Sequence, residues 1–201
     1  SPIVSPIVVA YKATAPFIRV CGDFTWINRY IVMPIVPIPP AFPLLEKISK
    51  FKLFLDVDVT NAFHQIPLGD RTSHLLSIIT PTCTVRPLFL LEGTTPASGI
   101  LHMTMVAMFR DFEEWTIVLF DNILILAHSY EDGYEKFETF LKRCKERNLF
   151  LKFEKSWLGF QEVNFFGYVC RNNEFHLSNE RTQSILDIPF PENTKQMQSF
   201  L

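Results

Sequence analysis

The sequence predicts an α+β fold, in which an antiparallel sheet is backed by helices. Three observations lead to this prediction. Apolar strand-like runs and amphipathic helices follow one another irregularly along the 201 residues, turn signals join neighbouring strands into hairpins, and the strand–helix–strand repeat of parallel sheets is not found. Two of the apolar runs carry an aspartate at one end, Asp58 and Asp121, and an antiparallel sheet can bring such residues together.

The first half of the chain is rich in apolar strand-like runs that prolines interrupt. Residues 30–43 contain five prolines. This predicts an extended connector, because proline lacks a backbone donor and disfavours helix at the residue before it. The other predicted elements of this half are strands at 3–10, 17–24, 52–59, 74–80 and 86–91, and a short helix at 44–50.

The second half contains the clearest helix and the clearest hairpin. A helix is predicted over 130–148, because Tyr134, Phe137, Leu141 and Cys144 recur at helical spacing with Lys and Glu on the opposite face. Within the hairpin 115–127, Asp121 and Asn122 are predicted to form a two-residue turn, since both tolerate a left-handed backbone. The remaining predicted elements are a helix at 96–112, a hairpin of strands 163–169 and 174–177, and a helix that begins near 192.

Composition limits the function classes. Hydrophobic residues make up 48% of the chain, which is ample for a core. The 19 basic and 21 acidic residues give a formal net charge of -2. Because duplex-binding proteins gain most of their affinity from Lys and Arg contacts to phosphate, a nucleic-acid role requires local basic clusters or further segments.

The cysteine pattern predicts an intracellular, reducing compartment. The four cysteines are widely scattered and form no Cys-x-x-Cys pair, which argues against a structural zinc site and against a disulfide scaffold. The apolar runs are all shorter than the roughly 18 residues of a transmembrane helix, so no membrane span is expected.

Several short motifs occur in an order that resembles a known family. They are SPIVSP at 1–6, RVCGDF at 19–24, PIP at 37–39, LDVDVTNAFHQI at 55–66, LFDN at 119–122, NFFGY at 164–168 and IPFP at 188–191. Their order is similar to that of the fingers and palm of a reverse transcriptase, closest to gypsy-type long-terminal-repeat retrotransposons. The resemblance implies a polymerase palm with a partial fingers subdomain, and the activity of an RNA-directed DNA polymerase.

The resemblance assigns catalytic roles to three residues. Asp58 and Asp121 would bind two Mg²⁺ that flank the attacking 3′-oxygen and the leaving pyrophosphate. Asn122 stands where the family has a second carboxylate, and it completes the catalytic set. Asp56 is an alternative on the same strand face, but the spacing to His64 in the motif favours Asp58.

The resemblance also implies a nucleotide pocket and its partners. Arg19 would grip triphosphate oxygens with its planar fork of donors, Phe63 would lie under the sugar and exclude a 2′-hydroxyl, and Lys12 is a weaker candidate for phosphate contact. The partners would be an RNA or DNA template-primer and deoxynucleoside triphosphates. Taken alone, Arg19 is typical of a solvated strand residue and Phe63 of a core residue. The five histidines are interpreted as structural or surface residues, because they do not cluster.

Three regions follow from the motif order. Residues 1–50 are expected to form a fingers-like segment with the proline-rich connector. Residues 51–178 are expected to form the palm, with a return to the fingers around 69–95. Residues 179–201 are expected to be the start of a thumb or connection, truncated.

Departures from the family pattern leave two functions open. Asn122 replaces a carboxylate, Leu119 replaces a tyrosine, and the connector at 29–40 is apolar where the family is charged. One hypothesis is a weak or inactive polymerase that requires Mg²⁺. The alternative is a catalytically degenerate protein, retained as a structural subunit that binds protein partners in a larger assembly.

Overall fold

Strands and helices alternate irregularly along the chain, as the α+β prediction requires. The computed structural model describes residues 3–11, 17–33, 35–37, 39–188 and 197. The strands are β1 (Ser5–Tyr11), β2 (Ile18–Gly22), β3 (Leu53–Asp58), β4 (Ile78–Ile79), β5 (Thr84–Val85), β6 (Thr116–Leu119), β7 (Asn122–Ala127), β8 (Trp157–Phe160), β9 (Val163–Phe165), β10 (Tyr168–Arg171) and β11 (Glu174–Leu177). The helices are α1 (Thr25–Asn28), α2 (Ala41–Ser49), α3 (Asp70–Leu75), α4 (Ala97–Met108), α5 (Tyr130–Glu146) and α6 (Asn179–Leu186).

The central sheet has four antiparallel strands in the order β6–β7–β3–β8. The predicted buried strand forms β3 and the predicted hairpin forms β6 and β7, so both predictions are confirmed. Valine, isoleucine and leucine dominate these strands because they pack well on a pleated surface. The sequence did not predict β8, which pairs with β3 on the side away from the hairpin.

Helices α4 and α5 cover one face of the central sheet. Val57 of β3 and Ile123 of β7 are fully buried on this face, and they belong to one core cluster with Met105 of α4 and Phe140 of α5. Burial of each such side chain stabilises the fold by about 1.5–3 kcal/mol. This face therefore holds the sheet and the helices together.

The opposite face is covered at one end only. Phe54 and Leu126 pack there against Leu45 of α2 and Cys170 of β10. Successive side chains of a strand point to opposite faces, so Asp56 and Asp58 share this face with Phe54. Both aspartates are only partly buried, and the polar end of the sheet is left open.

Helix α5 begins and ends within two residues of the predicted bounds. Ser129 caps it by accepting the N–H of Asp132 at 3.2 Å. The buried face differs from the prediction, because Tyr134 is exposed whereas Gly133 is buried. A Cβ at Gly133 would lie 3.0 Å from the side chain of Leu53. Glycine therefore lets the helix approach the sheet closely, and it turns Tyr134 outward.

Two smaller sheets complete the described structure. One has the order β2–β1–β4–β5, with β1 antiparallel to β2 and parallel to β4. The other has the order β11–β10–β9 and packs through β10 against α2. None of the helices among the described residues is long and apolar enough to span a bilayer.

Several predicted elements are wrong. The region 74–80 is not one strand, because α3 occupies 70–75 and only Ile78–Ile79 are extended. Ser73 in α3 is buried and its hydroxyl donates to the carbonyl of Pro87 at 2.6 Å, a tertiary contact that a sequence pattern does not reveal. The region 86–91 forms an isolated bridge at Phe89 instead of a strand. The region 163–169 is two strands, β9 and β10.

The break between β9 and β10 has a backbone cause. Phe166 and Gly167 both have positive φ, at 52° and 75°, and they turn the chain between the two strands. The sequence also did not predict α6, which Ser178 caps by accepting the N–H of Arg181 at 3.3 Å. The helix predicted to begin near 192 lies outside the described residues.

Candidate active site

Asp58 and Asn122 lie directly opposite each other at the open end of the central sheet. The antiparallel register of β3 and β7 pairs Asp58 with Asn122 and Val57 with Ile123. The Cβ atoms of directly opposite residues are typically about 4.5–5.5 Å apart, and their side chains share one face. The amide of Asn122 is therefore a neighbour of the Asp58 carboxylate.

Asp121 lies in the loop beside this pair. Leu119 pairs with Asn122, so the two-residue loop consists of Phe120 and Asp121. This corrects the predicted turn at Asp121 and Asn122, because Asn122 already belongs to β7. The carbonyl of Asp121 accepts the N–H of Val59 at 3.3 Å, which ties the loop to the end of β3. Asp58 and Asp121 thus lie at the same end of neighbouring antiparallel strands, and the separation of their carboxylates stays a prediction.

Phe120 holds an unusual backbone conformation in this loop. Its φ is 56°, and Asp121 is not among the residues with positive φ. Positive φ at the first loop position alone is the sign pattern of a type II′ hairpin turn, in which that position favours glycine. A left-handed conformation of a non-glycine residue costs about 1–3 kcal/mol. The surrounding structure must therefore stabilise the loop.

His102 of α4 lies beneath the loop. Its side chain is buried, and its Nδ1 accepts the backbone N–H of Phe120 at 3.3 Å. The two rings are also in contact, with centroids 5.3 Å apart. Burial lowers the pKa of His102, because the charged form loses its hydration. No sequence pattern indicated this role, since His102 lies 18 residues from Phe120 and matches no motif.

The residues on either side of the turn Phe153–Lys155 hold the backbone of Asp58. The N–H of Asp58 donates to the hydroxyl of Ser156 at 3.3 Å, and that hydroxyl donates to the carbonyl of Lys152 at 2.9 Å. The N–H of Lys152 donates to the carbonyl of Asp58 at 2.8 Å. Neither Ser156 nor Lys152 was predicted, because only the fold brings them to the site.

A concavity opens at the polar end of the sheet. Its volume is about 290 Å³, and it is lined by Asp56, Asp58, Asn122, Glu154, Lys155 and Trp157. Burial and the neighbouring Asp58 carboxylate raise the pKa of Asp56. The concavity thus combines carboxylates, an amide, an ammonium group and an aromatic ring.

The two predicted nucleotide-binding residues that the structure describes lie in different settings. Arg19 is exposed on β2 and forms an ion pair with Glu92, which is also exposed. Phe63 lies in a 3-10 turn at Ala62–Gln65 and packs against the core cluster beneath the central sheet. Lys12 lies outside the described residues. The nucleotide-binding roles of all three stay predictions.

Gln65 fixes the turn that carries Phe63. Its Oε1 accepts the N–H of Phe150 at 2.8 Å, and its Nε2 donates to the carbonyl of the same residue at 2.9 Å. The Nε2 group also donates to the carbonyl of Thr60. This set of bonds holds Phe63 in place relative to the end of β3, and only the fold reveals it.

The donor set at this end of the sheet fits magnesium. Mg²⁺ prefers oxygen ligands and is usually held by one or two carboxylates together with waters and substrate phosphates. Asp58, Asp121 and the amide oxygen of Asn122 provide oxygen donors of this type. Across the described ranges, no group of three or more His, Cys, Asp or Glu residues is arranged to hold a metal ion.

Residues 18–170 match the reverse transcriptase (RNA-dependent DNA polymerase) family. Curated proteins similar to the chain include the Transposon Tf2-7 and Tf2-3 polyproteins of Schizosaccharomyces pombe, each 25% identical over 185 residues. The aligned region covers 92% of this chain but only 14% of each polyprotein. The chain therefore spans a small part of the length of these relatives.

Solved structures of foamy viral protease-reverse transcriptases are similar in fold. One of them, a dRH form in complex with ds DNA, has a TM-score of 0.84 at 18% identity and covers 98% of this chain and 34% of its own. Another, in complex with an RNA/DNA hybrid, has a TM-score of 0.76 at 18% identity and covers 98% of this chain and 26% of its own. These similarities confirm the predicted fold, a polymerase palm with a partial fingers subdomain.

Proposed function

The chain belongs to the reverse transcriptase (RNA-dependent DNA polymerase) family, and we propose that it carries an RNA-directed DNA polymerase site that Asn122 weakens. The observation that supports this proposal most directly is the cross-strand pairing of Asp58 with Asn122, with Asp121 in the adjoining loop. Two aspartates at the ends of adjacent strands are the arrangement that the family resemblance implies. The proposed catalytic residues are Asp58, Asp121 and Asn122.

Asp58 and Asp121 are the proposed metal ligands. Mg²⁺ at these residues would supply charge stabilisation to the attacking 3′-oxygen and the leaving pyrophosphate. The Asp58 N–H donates to the hydroxyl of Ser156 and the Asp58 carbonyl accepts from Lys152, so the backbone of Asp58 is held in place and its carboxylate is presented from a fixed position. Asn122 offers an oxygen but no negative charge. At an effective dielectric constant near 20, a unit charge pair at 4 Å is worth roughly 4 kcal/mol before solvent screening, so the missing charge weakens metal binding.

Arg19, Phe63 and Lys12 are the proposed nucleotide-binding residues. Arg19 would bind triphosphate oxygens after its ion pair with Glu92 opens. Both side chains of that ion pair are exposed. Exposed ion pairs contribute only about 0–1 kcal/mol to stability, so breaking this pair costs little free energy. Phe63 would contact the sugar from a turn that Gln65 holds rigid. The proposed substrates are deoxynucleoside triphosphates and an RNA or DNA template-primer.

The wider assignments extend the same proposal. Residues 1–50 would form the fingers-like segment, 51–178 the palm with a return to the fingers around 69–95, and 179–201 the start of the thumb or connection. Within the family we propose a gypsy-type retrotransposon origin, which the order of the motifs supports. The four free cysteines agree with function in a reducing, intracellular compartment.

Primer extension on a primed RNA template tests the polymerase proposal. We expect slight incorporation of deoxynucleotides by the unmodified chain, more by Asn122→Asp, and none by the double variant Asp58→Asn with Asn122→Asp. The double variant Asp187→Asn with Asn122→Asp is the matched control, because Asp187 is exposed at the end of α6. Equal extension by both double variants would show that the reaction does not require Asp58. Absence of extension in every variant, together with absence of Mn²⁺ binding, would contradict the enzyme proposal.

A specific observation also favours the structural alternative. Val9 and Val20 of the β1–β2 hairpin are exposed, as are Val32 and Ile35 of the connector. Val9 and Val20 are cross-strand partners, so their exposed side chains are adjacent, and contiguous exposed apolar patches mark surfaces that contact other proteins. A catalytically degenerate chain, retained as a subunit that binds protein partners, would use such a surface. Sedimentation of the unmodified chain, compared with a variant carrying Val9→Ser, Val20→Ser and Val32→Ser, tests whether this surface mediates association.

A further inference from the structure

The loop that carries Asp121 forms a hydrogen bond with a side chain of α4, in addition to its backbone bond with Val59. Phe120 has a φ of 56°, and bulky residues rarely adopt this left-handed conformation. Its N–H donates to Nδ1 of His102, at 3.3 Å. His102 is on α4, a separate element on the helix-covered side, and its side chain is buried. The conformation of the loop is therefore coupled to a side chain that is not part of the hairpin.

The hydrogen bond fixes the chemical state of the His102 ring. An acceptor Nδ1 carries no proton, so the neutral ring holds its proton on Nε2. Burial favours the neutral form. The contact between the His102 and Phe120 rings, at 5.3 Å, also fixes the side chain of Phe120. His102 thus holds both the backbone and the ring of the residue that precedes Asp121.

We propose that His102 is a positioning residue for the polymerase site, which acts through Phe120 to hold Asp121 and Asn122 in register with Asp58. This inference rests on the function proposed above. A positioning role differs from a role in core packing in what it requires of the side chain. Packing beneath the loop requires only a side chain of suitable size, whereas holding the loop requires a hydrogen-bond acceptor at the position of Nδ1.

Three substitutions at His102 separate these two roles. In His102→Asn, the amide Oδ1 occupies the position of Nδ1, so the acceptor for the Phe120 N–H is kept. In His102→Gln, the amide oxygen lies near the position of Nε2 and the acceptor is misplaced, although the side chain is equally polar. In His102→Leu, the volume is largely kept and the acceptor is lost. His102→Asn and His102→Gln form the matched pair.

Two measurements on the folded chain give the result. Nuclear magnetic resonance reports the exchange rate and chemical shift of the Phe120 amide and the shifts of the Asp121 and Asn122 amides. Calorimetry reports the dissociation constant for Mn²⁺. We expect the Phe120 amide to exchange about threefold to tenfold faster in His102→Gln and His102→Leu, the range that follows from losing one neutral hydrogen bond. The Mn²⁺ dissociation constant should rise by a similar factor, and His102→Asn should recover most of both losses.

Other outcomes overturn the inference. If all three variants leave the Phe120, Asp121 and Asn122 amides unchanged, His102 does not position the loop. If the amides change but the three variants bind Mn²⁺ as tightly as the unmodified chain, the loop position does not matter for the site. If the unmodified chain itself binds no Mn²⁺, the proposed function fails, and the amide shifts alone decide whether His102 holds Asp121 and Asn122.

Discussion

Asn122 lies where a carboxylate would add negative charge next to Asp58. It lies directly opposite Asp58, on the same face of the sheet, at the entrance to β7. An amide there keeps an oxygen ligand and removes one negative charge. In the proposed metal site, the oxygen donor would thus be kept while the charge is reduced.

Restoring this charge should restore metal affinity. We expect Asn122→Asp to tighten Mn²⁺ binding by at least tenfold in calorimetry, which corresponds to about 1.4 kcal/mol and lies below the gross value of roughly 4 kcal/mol for a nearby charge pair. Asn172→Asp is the matched control, because Asn172 is exposed in the turn between β10 and β11. An equal gain in both variants would show that net charge, and not position, determines the affinity.

Asp56 should give the stability of the chain an unusual pH dependence. Its pKa is raised above the ordinary value of 3.8, first by burial and then by Asp58. The native state therefore binds the proton more tightly than the unfolded state, and stability falls as pH rises through the window that begins near 3.8. We expect Asp56→Asn to be more stable than the unmodified chain at neutral pH, with the difference vanishing at pH values below that window.

Urea unfolding of Asp56→Asn at neutral and acidic pH measures this difference. Glu135→Gln provides the control, because it removes an exposed carboxylate from α5. A stability difference for Asp56→Asn that does not change with pH would contradict the assigned shift.

At the scale of elements, the sequence predicted three strands of the central sheet and the two helices that cover it, and it missed β8, α3 and α6. Strands β3, β6 and β7 were predicted because they are long apolar runs between turn signals. Strand β8 has a glycine at Gly159 with φ of 80°, and three of its four residues are exposed, so its pattern is not typical of a core strand. Helix α3 is short and is fixed by tertiary contacts such as that of Ser73 with Pro87. These contacts come from residues that are distant in sequence, where local propensity has no influence.

The same limit applies to the candidate site. Asp58, Asp121 and Asn122 were identified because motifs contain them in a fixed order. The supporting residues Ser156, Gln65 and His102 were not identified from the sequence. Each forms a hydrogen bond with a backbone group of a residue that is distant in sequence, and every residue possesses such a group. Sequence patterns indicate which side chains carry the chemistry, whereas their supports become visible only in the fold.

Helix α2 is joined to the hairpin through a lysine. Lys47 donates to the carbonyl of Thr116 at 2.8 Å and to the carbonyl of Glu113. Burial lowers the pKa of Lys47, and attraction to Glu113 and Glu114 partly offsets this effect. The ammonium group therefore links α2 to the start of β6.

Removing this link should destabilise the fold. We expect Lys47→Met to lower the free energy of unfolding by about 1–3 kcal/mol, because two carbonyls lose their donor. Lys142→Met is the control, since Lys142 forms an exposed ion pair with Glu138 at 2.9 Å and such substitutions usually change stability by less than about 0.5 kcal/mol. Urea unfolding measures both values. Equal values for the two variants would show that Lys47 is not a structural link.

At the scale of the whole molecule, charge limits the binding of nucleic acid. The formal net charge is -2, and each neutralised phosphate contributes to the salt dependence of binding. We expect the 201-residue chain to bind a primed RNA template with a dissociation constant of about 10⁻⁴–10⁻⁶ M, the range of non-specific binding. Primer extension by the unmodified chain should accordingly be slight, and weak template binding should limit the gain that Asn122→Asp produces.

Fluorescence anisotropy at several salt concentrations tests this expectation. Lys155 lines the concavity beside Asp58, so Lys155→Gln should reduce the salt slope by about one if the template passes the site. Lys142→Gln, on the exposed side of α5, should leave the slope unchanged. Tight binding with a steep salt slope would contradict the expected affinity. Robust extension by the unmodified chain would show that Asn122 is a tolerated variant of an active enzyme.

The two-residue loop at Phe120 and Asp121 determines which genetic changes the site can survive. A single residue inserted within β7, beyond this loop, would shift part of the strand register by one position and exchange the faces of the residues on one side of the insertion. Point substitutions at Asn122 leave this register intact. A lineage under weak selection for polymerisation would thus exchange charged groups one at a time, while insertions within β7 would expose apolar core residues.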